Sequence, residues 1–304
     1  MKKKILILGG GVSKEREISI ETAKQVKNTL KKKYKVIDSD LDKNLEAKLK
    51  LFKPDVVFNA LHGRFGEDGY AQTILEYHKI KYTHSGVLSS ALAMNKLASK
   101  KIFNENNLLT PKFIKFKNNL EVNRKLKNKI RKKLKFPVVV KPINEGSSVG
   151  VYISSEKNLK KNLIKLKKYK EVIIEEFIDG REIQVAILGV KKLGAIELKP
   201  KRKFYDYKAK YDIKSKTEHI IPANLTKKNL DKVLNIALKA HKILKCKGVT
   251  RSDFKFFRNK FYLLELNTQP GMTKLSLVPE IAAYKGMNFL KLLEWILKDA
   301  STNR

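Results

Sequence analysis

The sequence predicts an α/β protein whose first part is built on a parallel sheet. Short apolar runs at 5–8, 36–38 and 56–60 are typical of buried strands, and segments of helical periodicity lie between them. Three consecutive glycines at 9–11 follow the first run, as expected of a tight loop at the carboxyl end of a strand. With 304 residues, the chain is long enough for two or three domains.

The loops of this first domain, residues 1–95, are its candidate functional parts. We expect a helix from Ser13 to about Lys32, with Ser13 as its N-cap and Glu15 in its first turn. His62 begins a second glycine-punctuated loop, HGRFGEDG at 62–69. Because both loops follow strands of one sheet, we expect His62 to lie beside the 9–15 turn and to contact substrate. A purely structural histidine is the alternative.

The rest of the chain mixes helices and strands, and we expect two α+β lobes, 96–182 and 183–304. The predicted strands are 112–117, 137–141, 150–154, 172–177, 181–189 and 194–199. The predicted helices are 120–134, 159–168, 230–245 and 289–298. The polar segment 200–216 has no periodicity. Its three tyrosines favour an ordered lid at 204–211 over a disordered lysine-rich loop.

The net charge of +37 raises the possibility of nucleic-acid binding, because such a field attracts polyanions. Nine of the 67 basic residues are arginine, the residue that usually reads bases and phosphates. The sequence has no zinc-finger spacing and no aromatic RNA-binding pattern. We therefore favour a solvated lysine-coated surface without specific nucleic-acid binding. A basic nucleic-acid-binding protein that lacks catalysis remains the alternative from another class.

The number of cysteines and the length of the apolar runs indicate the cellular compartment of the protein. A single cysteine, Cys246, excludes an intramolecular disulfide framework. The apolar run after the first four residues is too short for a signal peptide, and no stretch approaches the roughly 20 apolar residues of a membrane span. We expect a cytoplasmic protein that does not associate with a membrane.

Two aromatic-rich runs around a polar turn centred on Asn259 predict a β-hairpin near the C-terminus. Reflection about Asn259 places Asp253 opposite Glu265, with Cβ atoms roughly 5 Å apart. Asn267 shares a strand face with Glu265, and Arg251 shares one with Asp253. Two carboxylates and an amide oxygen suit Mg²⁺, a hard cation that prefers oxygen ligands. The alternative is a hairpin with a solvated polar face.

The loop EGSSVG at 145–150 is a candidate phosphate site. It follows a predicted strand that ends at Lys141, and its glycines let the backbone approach a ligand. It is not a Walker A loop, because no Gly-Lys-Ser/Thr follows. Lys141 favours the phosphate interpretation over that of a mobile hairpin turn.

The apolar strand at 172–178 ends in acidic residues, and Glu182 follows shortly after. An apolar slot with a nearby carboxylate suits adenine and ribose. A domain-linking strand whose acids face solvent is an equally open alternative.

Taken together, these motifs resemble the D-alanine–D-alanine ligase family of the ATP-grasp superfamily, over residues 5 to about 295. The matching stretches are GGVSKERE at 10–17, HGRFGEDG at 62–69, Lys141-Pro142, EGSSVG at 145–150, 204–211, Arg251-Ser252-Asp253, LELNTQPGM at 264–272 and SLVP at 276–279. Ser252, Gln269, Lys274 and Thr73 are less usual choices at their positions, and none of them removes a ligand. The resemblance implies a Rossmann-like N-terminal domain and two lobes that enclose a nucleotide.

The resemblance also implies amino-acid and catalytic roles. Glu15 would hold the ammonium group of the first D-alanine and His62 would lie near its carboxylate. Ser147 and Tyr211 would be linked to Glu15. Arg251 and the Gly271 amide would stabilise the oxyanion of the acyl-transfer step. Ser276 and Leu277 would bind the carboxylate of the second D-alanine.

For the nucleotide and metals, the resemblance implies three groups. The phosphate ligands would be Lys96, Lys141, Lys210 and Ser148. The adenosine contacts would be Glu175, Phe177, Ile178 and Glu182. Asp253, Glu265 and Asn267 would hold two Mg²⁺ or Mn²⁺ ions.

The implied reaction is the ATP-dependent ligation of two D-alanine molecules through an acyl phosphate, for peptidoglycan precursors. A ligase that takes D-lactate or D-serine as second substrate is the alternative within the superfamily. The resemblance further implies a homodimer.

Overall fold

The computed structural model describes residues 2–118, 121–200, 217–274 and 276–304. The predicted lid at 204–211, with Lys210 and Tyr211, lies outside the described residues. Among those described, every helix is too short or too polar to span a bilayer.

The N-terminal region is a three-stranded parallel sheet, as predicted. Its elements are β1 (Lys4–Leu8), α1 (Arg16–Leu30), β2 (Lys35–Ser39), α2 (Leu45–Phe52), β3 (Val56–Asn59), α3 (Tyr70–Tyr77) and α4 (Val87–Met94). β1 is central and pairs in parallel with β2 and β3. The apolar residues of β1 are fully buried, because the central strand of a parallel sheet is covered on both faces.

The start of α1 differs from the prediction. The helix begins at Arg16, and Ser13 is not its N-cap. The Ser13 hydroxyl donates to the carbonyl oxygen of His62 at 2.6 Å and accepts the Glu15 N–H at 3.1 Å. The side chain joins the two loops of the first domain instead of capping the helix.

The central region contains a four-stranded antiparallel sheet in the order β4-β7-β5-β6. Its elements are α5 (Lys96–Glu105), β4 (Phe113–Lys117), α6 (Arg124–Lys133), β5 (Val138–Pro142), β6 (Tyr152–Ser154), α7 (Leu159–Lys165) and β7 (Glu171–Glu176). The sheet and the helices α6 and α7 share one apolar core. α5 packs elsewhere, since Phe103 lies in the core of the next sheet. The division of the chain at 96 and 183 stays a prediction.

The C-terminal region is a five-stranded antiparallel sheet in the order β10-β9-β8-β11-β12. Its elements are β8 (Arg181–Leu188), β9 (Lys191–Lys199), β10 (Glu218–Ile220), α8 (Lys227–Ile243), β11 (Val249–Phe257), β12 (Lys260–Asn267), α9 (Leu277–Tyr284) and α10 (Phe289–Asp299). α8 lies in the same core cluster as Phe103 of α5. α9 and α10 share a second cluster with β1, β3 and α1, so apolar burial joins the first and last regions.

The β11–β12 hairpin turns through two residues. Arg258 and Asn259 both have positive φ, +46° and +59°, as the favoured two-residue hairpin turn requires. Phe257 is therefore opposite Lys260, and the turn is centred between Arg258 and Asn259.

A β-bulge then sets the register at the site. Phe254 pairs with Leu263, whereas Asp253 pairs with Glu265, so Leu264 is the extra residue on β12. The predicted pairing of Asp253 with Glu265 is confirmed, although the centre assumed for the turn was wrong. Leu264 and Glu265 both line the same cleft, which strict alternation along β12 would prevent.

His84 lies where the first region meets the last. Its side chain is buried edge-on to the Phe58 ring, and its Cα would lie 3.0 Å from a Cβ added at Gly248. Burial, together with repulsion from Arg304 and His62, lowers the pKa of His84 to about 3. The fold therefore holds this imidazole in its neutral form.

We predict that His84 makes the fold sensitive to acid. The unfolded imidazole, with a pKa near 6.5, binds a proton that the folded one does not, so stability falls as pH drops from about 6.5 toward 3. This group alone removes about 2 kcal/mol of the free energy of unfolding by pH 5. His84→Asn, a residue that tolerates the positive φ at this position, eliminates this component.

Urea unfolding of wild type and variant at pH 7 and pH 5 measures the difference. The same substitution at the exposed His219 is the matched control. An identical pH dependence in wild type and His84→Asn would contradict the prediction.

Candidate active site

The Glu15 carboxylate is the meeting point of two loops from separate regions. It is buried and accepts a hydrogen bond from the Ser147 hydroxyl. A Cβ added at Gly63 would lie 2.8 Å from Oε2 of Glu15, and one at Gly146 would lie 2.9 Å from it. The 62–69 and 145–150 loops therefore both close on this carboxylate, and only glycine leaves room for it.

His62 is buried beside the Gly-rich turn, as predicted. Its Nδ1 lies 3.2 Å from Oε1 of Glu67 and its Nε2 lies 3.1 Å from Oγ1 of Thr22. The preceding carbonyl, that of Leu61, accepts a hydrogen bond from the Gln269 amide. This bond brings the loop after β12 against the His62 loop.

The 145–150 loop is held in a strained conformation. Ser147 and Ser148 have φ of +46° and +59°, values that non-glycine residues adopt rarely and mostly where surrounding contacts impose them. The Glu145 carboxylate accepts from the Tyr169 hydroxyl at 2.6 Å, and its carbonyl oxygen accepts from Nζ of Lys96 at 2.5 Å. These contacts fix the start of the loop on α5 and on the segment before β7.

Lys96 connects the loop to the acidic hairpin. Its Nζ lies 3.4 Å from Oε2 of Glu265 in addition to its bond to Glu145, and the side chain is buried. Glu265 is directly opposite Asp253. One ammonium group thus lies between the candidate phosphate loop and the candidate metal ligands.

Asp253 is held by Arg251 from its own strand. Nε and one terminal nitrogen of Arg251 donate to the two carboxylate oxygens of Asp253 at 2.8 and 3.0 Å. Asn267 faces Arg251 across the hairpin, and its side-chain oxygen accepts from the Gln269 N–H at 2.9 Å. The register places Asp253 opposite Glu265 and Arg251 opposite Asn267, and each of the three oxygen groups is bound to a donor.

Glu175 is the centre of a buried ion cluster. Its Oε2 lies 2.9 Å from Nζ of Lys141, and its Oε1 lies 3.2 Å from Nζ of Lys100. Burial would raise the pKa of Glu175, but the Lys100 and Lys141 charges outweigh it and leave the pKa lowered. The carboxylate is ionised and directed at two lysines, so its side chain faces cations rather than an adenine edge.

A cleft between the central and C-terminal sheets gathers most of the predicted nucleotide residues. The space inside it, open mouth included, amounts to about 780 Å³. The predicted residues that line it are Lys96, Lys141, Ser148, Glu175, Phe177, Ile178, Glu182, Asp253 and Glu265. Glu182 is buried at its edge, 2.8 Å from Nζ of Lys255.

The remaining predicted residues lie at the other loops. Ser276 is the N-cap residue of α9 and Leu277 is its first helical residue. The Ser276 hydroxyl accepts the Thr273 N–H at 3.1 Å and would lie 2.9 Å from a Cβ at Gly271. Gly271 and Thr273 therefore both lie close to this hydroxyl.

Sequence reasoning missed Lys100, although a signal was present. Lys100 follows Lys96 by four residues in α5, and residues at this spacing share a helix face. It also missed Lys255, which binds Glu182, and Gln184, a buried amide that lines the cleft beside Asp253. These two lie on strand faces whose orientation only the register reveals.

A family model described as D-ala D-ala ligase C-terminus matches residues 102–298. A D-alanine–D-alanine ligase of Pelagibacter ubique is 66% identical over the full length of both chains. The chain belongs to the D-alanine–D-alanine ligase family. A second relative of that name, from Wolbachia pipientis, is 46% identical over 97% of this chain and 94% of its own length.

The fold of the family is shared as well. The crystal structure of the Bacillus anthracis D-alanine–D-alanine ligase complexed with ATP superposes with a TM-score of 0.85. The two chains are 31% identical, and the match covers 98% of this chain and 97% of the other. The predicted ATP-grasp architecture is thereby confirmed.

Proposed function

We propose that this chain ligates two D-alanine molecules to D-alanyl-D-alanine with conversion of ATP to ADP and inorganic phosphate, in the synthesis of peptidoglycan precursors. The observation that carries the proposal is the 66% identity, over the whole chain, to a protein that bears this activity in its name. The geometry agrees with it, because Lys96, Glu175 and Asp253 line one cleft with Ser148, and the adjacent Ser147 binds Glu15. No feature of the described residues favours D-lactate, D-serine or a nucleic acid as ligand.

ATP would occupy the cleft between the two antiparallel sheets. Lys96 and Lys141 present ammonium groups to the phosphates, while Phe177 and Ile178 provide apolar contact for adenine. Glu182 is placed for a ribose hydroxyl. Since the Glu175 side chain binds two lysines, we propose that it serves the phosphate end of the site and not adenine recognition.

Two divalent cations, Mg²⁺ or Mn²⁺, are further proposed ligands. The donor set fits, because Asp253, Glu265 and Asn267 supply only oxygen atoms and lie together on one hairpin face. In the structure, these carboxylates contact the Arg251 and Lys96 cations. The divalent ions would neutralise phosphate charge during transfer.

The first step places an oxygen nucleophile in line with the γ-phosphate. Glu15 would bind the ammonium group of the first D-alanine, with Ser147 fixing the carboxylate of Glu15 and His62 near the substrate carboxylate. The substrate carboxylate oxygen attacks phosphorus, ADP leaves, and an acyl phosphate forms. Phosphoryl transfer depends mainly on positioning and charge neutralisation, which the buried lysines supply.

The second step is acyl transfer. The amine of the second D-alanine attacks the acyl carbon, and inorganic phosphate leaves as the peptide bond forms. Ser276, at the start of α9, would receive the carboxylate of this substrate, since helix N-termini favour anions. Arg251 and the Gly271 N–H are proposed donors to the oxyanion. The predicted homodimer and cytoplasmic location stay predictions.

Coupled measurement of ADP release tests the function. We expect ADP release that requires D-alanine and Mg²⁺, with D-alanyl-D-alanine as product by mass spectrometry. Faster turnover with D-lactate or D-serine as second substrate would assign the chain to the alternative ligases. ADP release that is independent of D-alanine would refute the proposal.

We predict that Glu265→Gln lowers kcat on the order of 100-fold, the loss typical when one charge-stabilising group of a site is removed. The substitution keeps the shape of the side chain, so the melting temperature should change little. Glu121→Gln, at an exposed position, is the control. Wild-type turnover of Glu265→Gln at limiting Mg²⁺ would show that Glu265 is not a metal ligand.

Alanine substitutions at two glycines distinguish the effect of backbone strain from the effect of disturbing the substrate site. Gly63 and Gly286 both have positive φ, +70° and +76°, so alanine at either costs about 1–2 kcal/mol of stability. Only at Gly63 does the new Cβ meet Oε2 of Glu15, at 2.8 Å, whereas nothing lies within 4 Å at Gly286. We predict that Gly63→Ala raises KM for D-alanine about tenfold or more.

Gly286→Ala should lose only the stability that the backbone strain costs, with unchanged KM. Steady-state kinetics and thermal unfolding of both variants provide the measurement. Equal KM values in the two variants would remove Glu15 from the proposed substrate site.

A further inference from the structure

Lys100 is the most deeply buried charged side chain in the nucleotide region. It is 0% exposed, and its Nζ lies 3.2 Å from Oε1 of Glu175. Because the side chain has no access to the cleft surface, it cannot touch a nucleotide directly. An unpaired ammonium group would be very costly in this environment, so its position depends on Glu175.

Glu175 connects Lys100 to a lysine that lines the cleft. Its second oxygen binds Nζ of Lys141 at 2.9 Å, and the Lys141 side chain lines the cleft. The carboxylate comes from β7, Lys100 from α5 and Lys141 from β5. Three separate elements are thereby connected through one carboxylate.

The charges of this cluster do not cancel. Two ammonium groups share one carboxylate, so the protonated cluster carries one excess positive charge next to the cleft. If Lys100 were neutral or absent, Glu175 would have only Lys141 to pair with, and the charge that Lys141 offers a ligand would be compensated. A polyanion such as the ATP phosphates gains from the uncompensated arrangement.

We propose that Lys100 is a positioning residue of the ATP site, which binds one oxygen of Glu175 and so leaves Lys141 placed and charged for the phosphates. The inference rests on the assignment of the cleft to ATP under the proposed function. Lys100 acts through Glu175 and takes no part in the chemistry of either substrate carboxylate.

The decisive variant is Lys100→Met, which keeps the length of the side chain and removes its charge. We expect KM for ATP to rise about tenfold, while kcat and KM for D-alanine change by less than about threefold. The neighbouring Lys101→Met, at an exposed position of α5, is the matched control and should behave as wild type.

A second variant tests the charge balance itself. In Lys100→Met/Glu175→Gln the compensating carboxylate is removed as well, so Lys141 is again an uncompensated cation. We expect KM for ATP to return toward the wild-type value. A purely structural role of Lys100 predicts the opposite, because a second buried change should not restore binding.

Binding is also measurable without turnover, from the rise in melting temperature on addition of ADP with Mg²⁺. Lys100→Gln, which keeps a hydrogen-bond donor toward Glu175, serves if the Met variant does not fold. A wild-type KM for ATP in the folded variant, or a double variant no better than the single one, would overturn the inference. Absence of D-alanine-dependent ADP release in the wild type would instead refute the proposed function.

Discussion

Asp253 and Glu265 lie side by side because β12 carries one residue more than β11 between the hairpin turn and the site. Without the bulge at Leu264, the two-residue turn would bring Leu264 opposite Asp253. The extra residue brings Leu264 and Glu265 into the same cleft while Leu263 and Leu266 remain in the core. The rest of the site is built outward from this acidic pair.

Pairing of buried charges connects that pair to the other regions. Lys96 bridges Glu265 on β12 and the carbonyl oxygen of Glu145 in the loop after β5. The carboxylate of Glu175 binds two lysines in the same way. Because a buried charge without a partner is strongly unfavourable, the Lys96–Glu145 and Lys100–Glu175 contacts restrict how α5, which packs in the C-terminal core, lies against the central region.

Periodicity and loop chemistry predicted the parallel sheet, the neighbouring loops of Ser13 and His62 and the acidic hairpin. The predicted pairing of Asp253 with Glu265 is correct because two differences from the predicted hairpin cancel. The turn is centred half a residue earlier than Asn259, and the bulge adds one residue to β12. Neither difference has a reliable local signal. Ser13 was misassigned as an N-cap because α1 begins only at Arg16, and the Ser13 hydroxyl joins the His62 loop through a contact that local sequence does not reveal. Contacts between distant elements were the part that local patterns could not supply.

The exposed lysines and the buried lysines of the cleft differ in how strongly their charges act on a bound phosphate. Exposed charges are screened over about 8–10 Å at physiological ionic strength, so the net charge of +37 acts on a bound phosphate only weakly. Lys96 and Lys141 are buried and act at contact distance, where screening is slight. Surface lysines can therefore accumulate without altering the cleft, provided that the paired lysines keep their carboxylates. Under the proposed function, recognition of the nucleotide would rest on these few fixed charges, which the apolar cores of the chain hold in place.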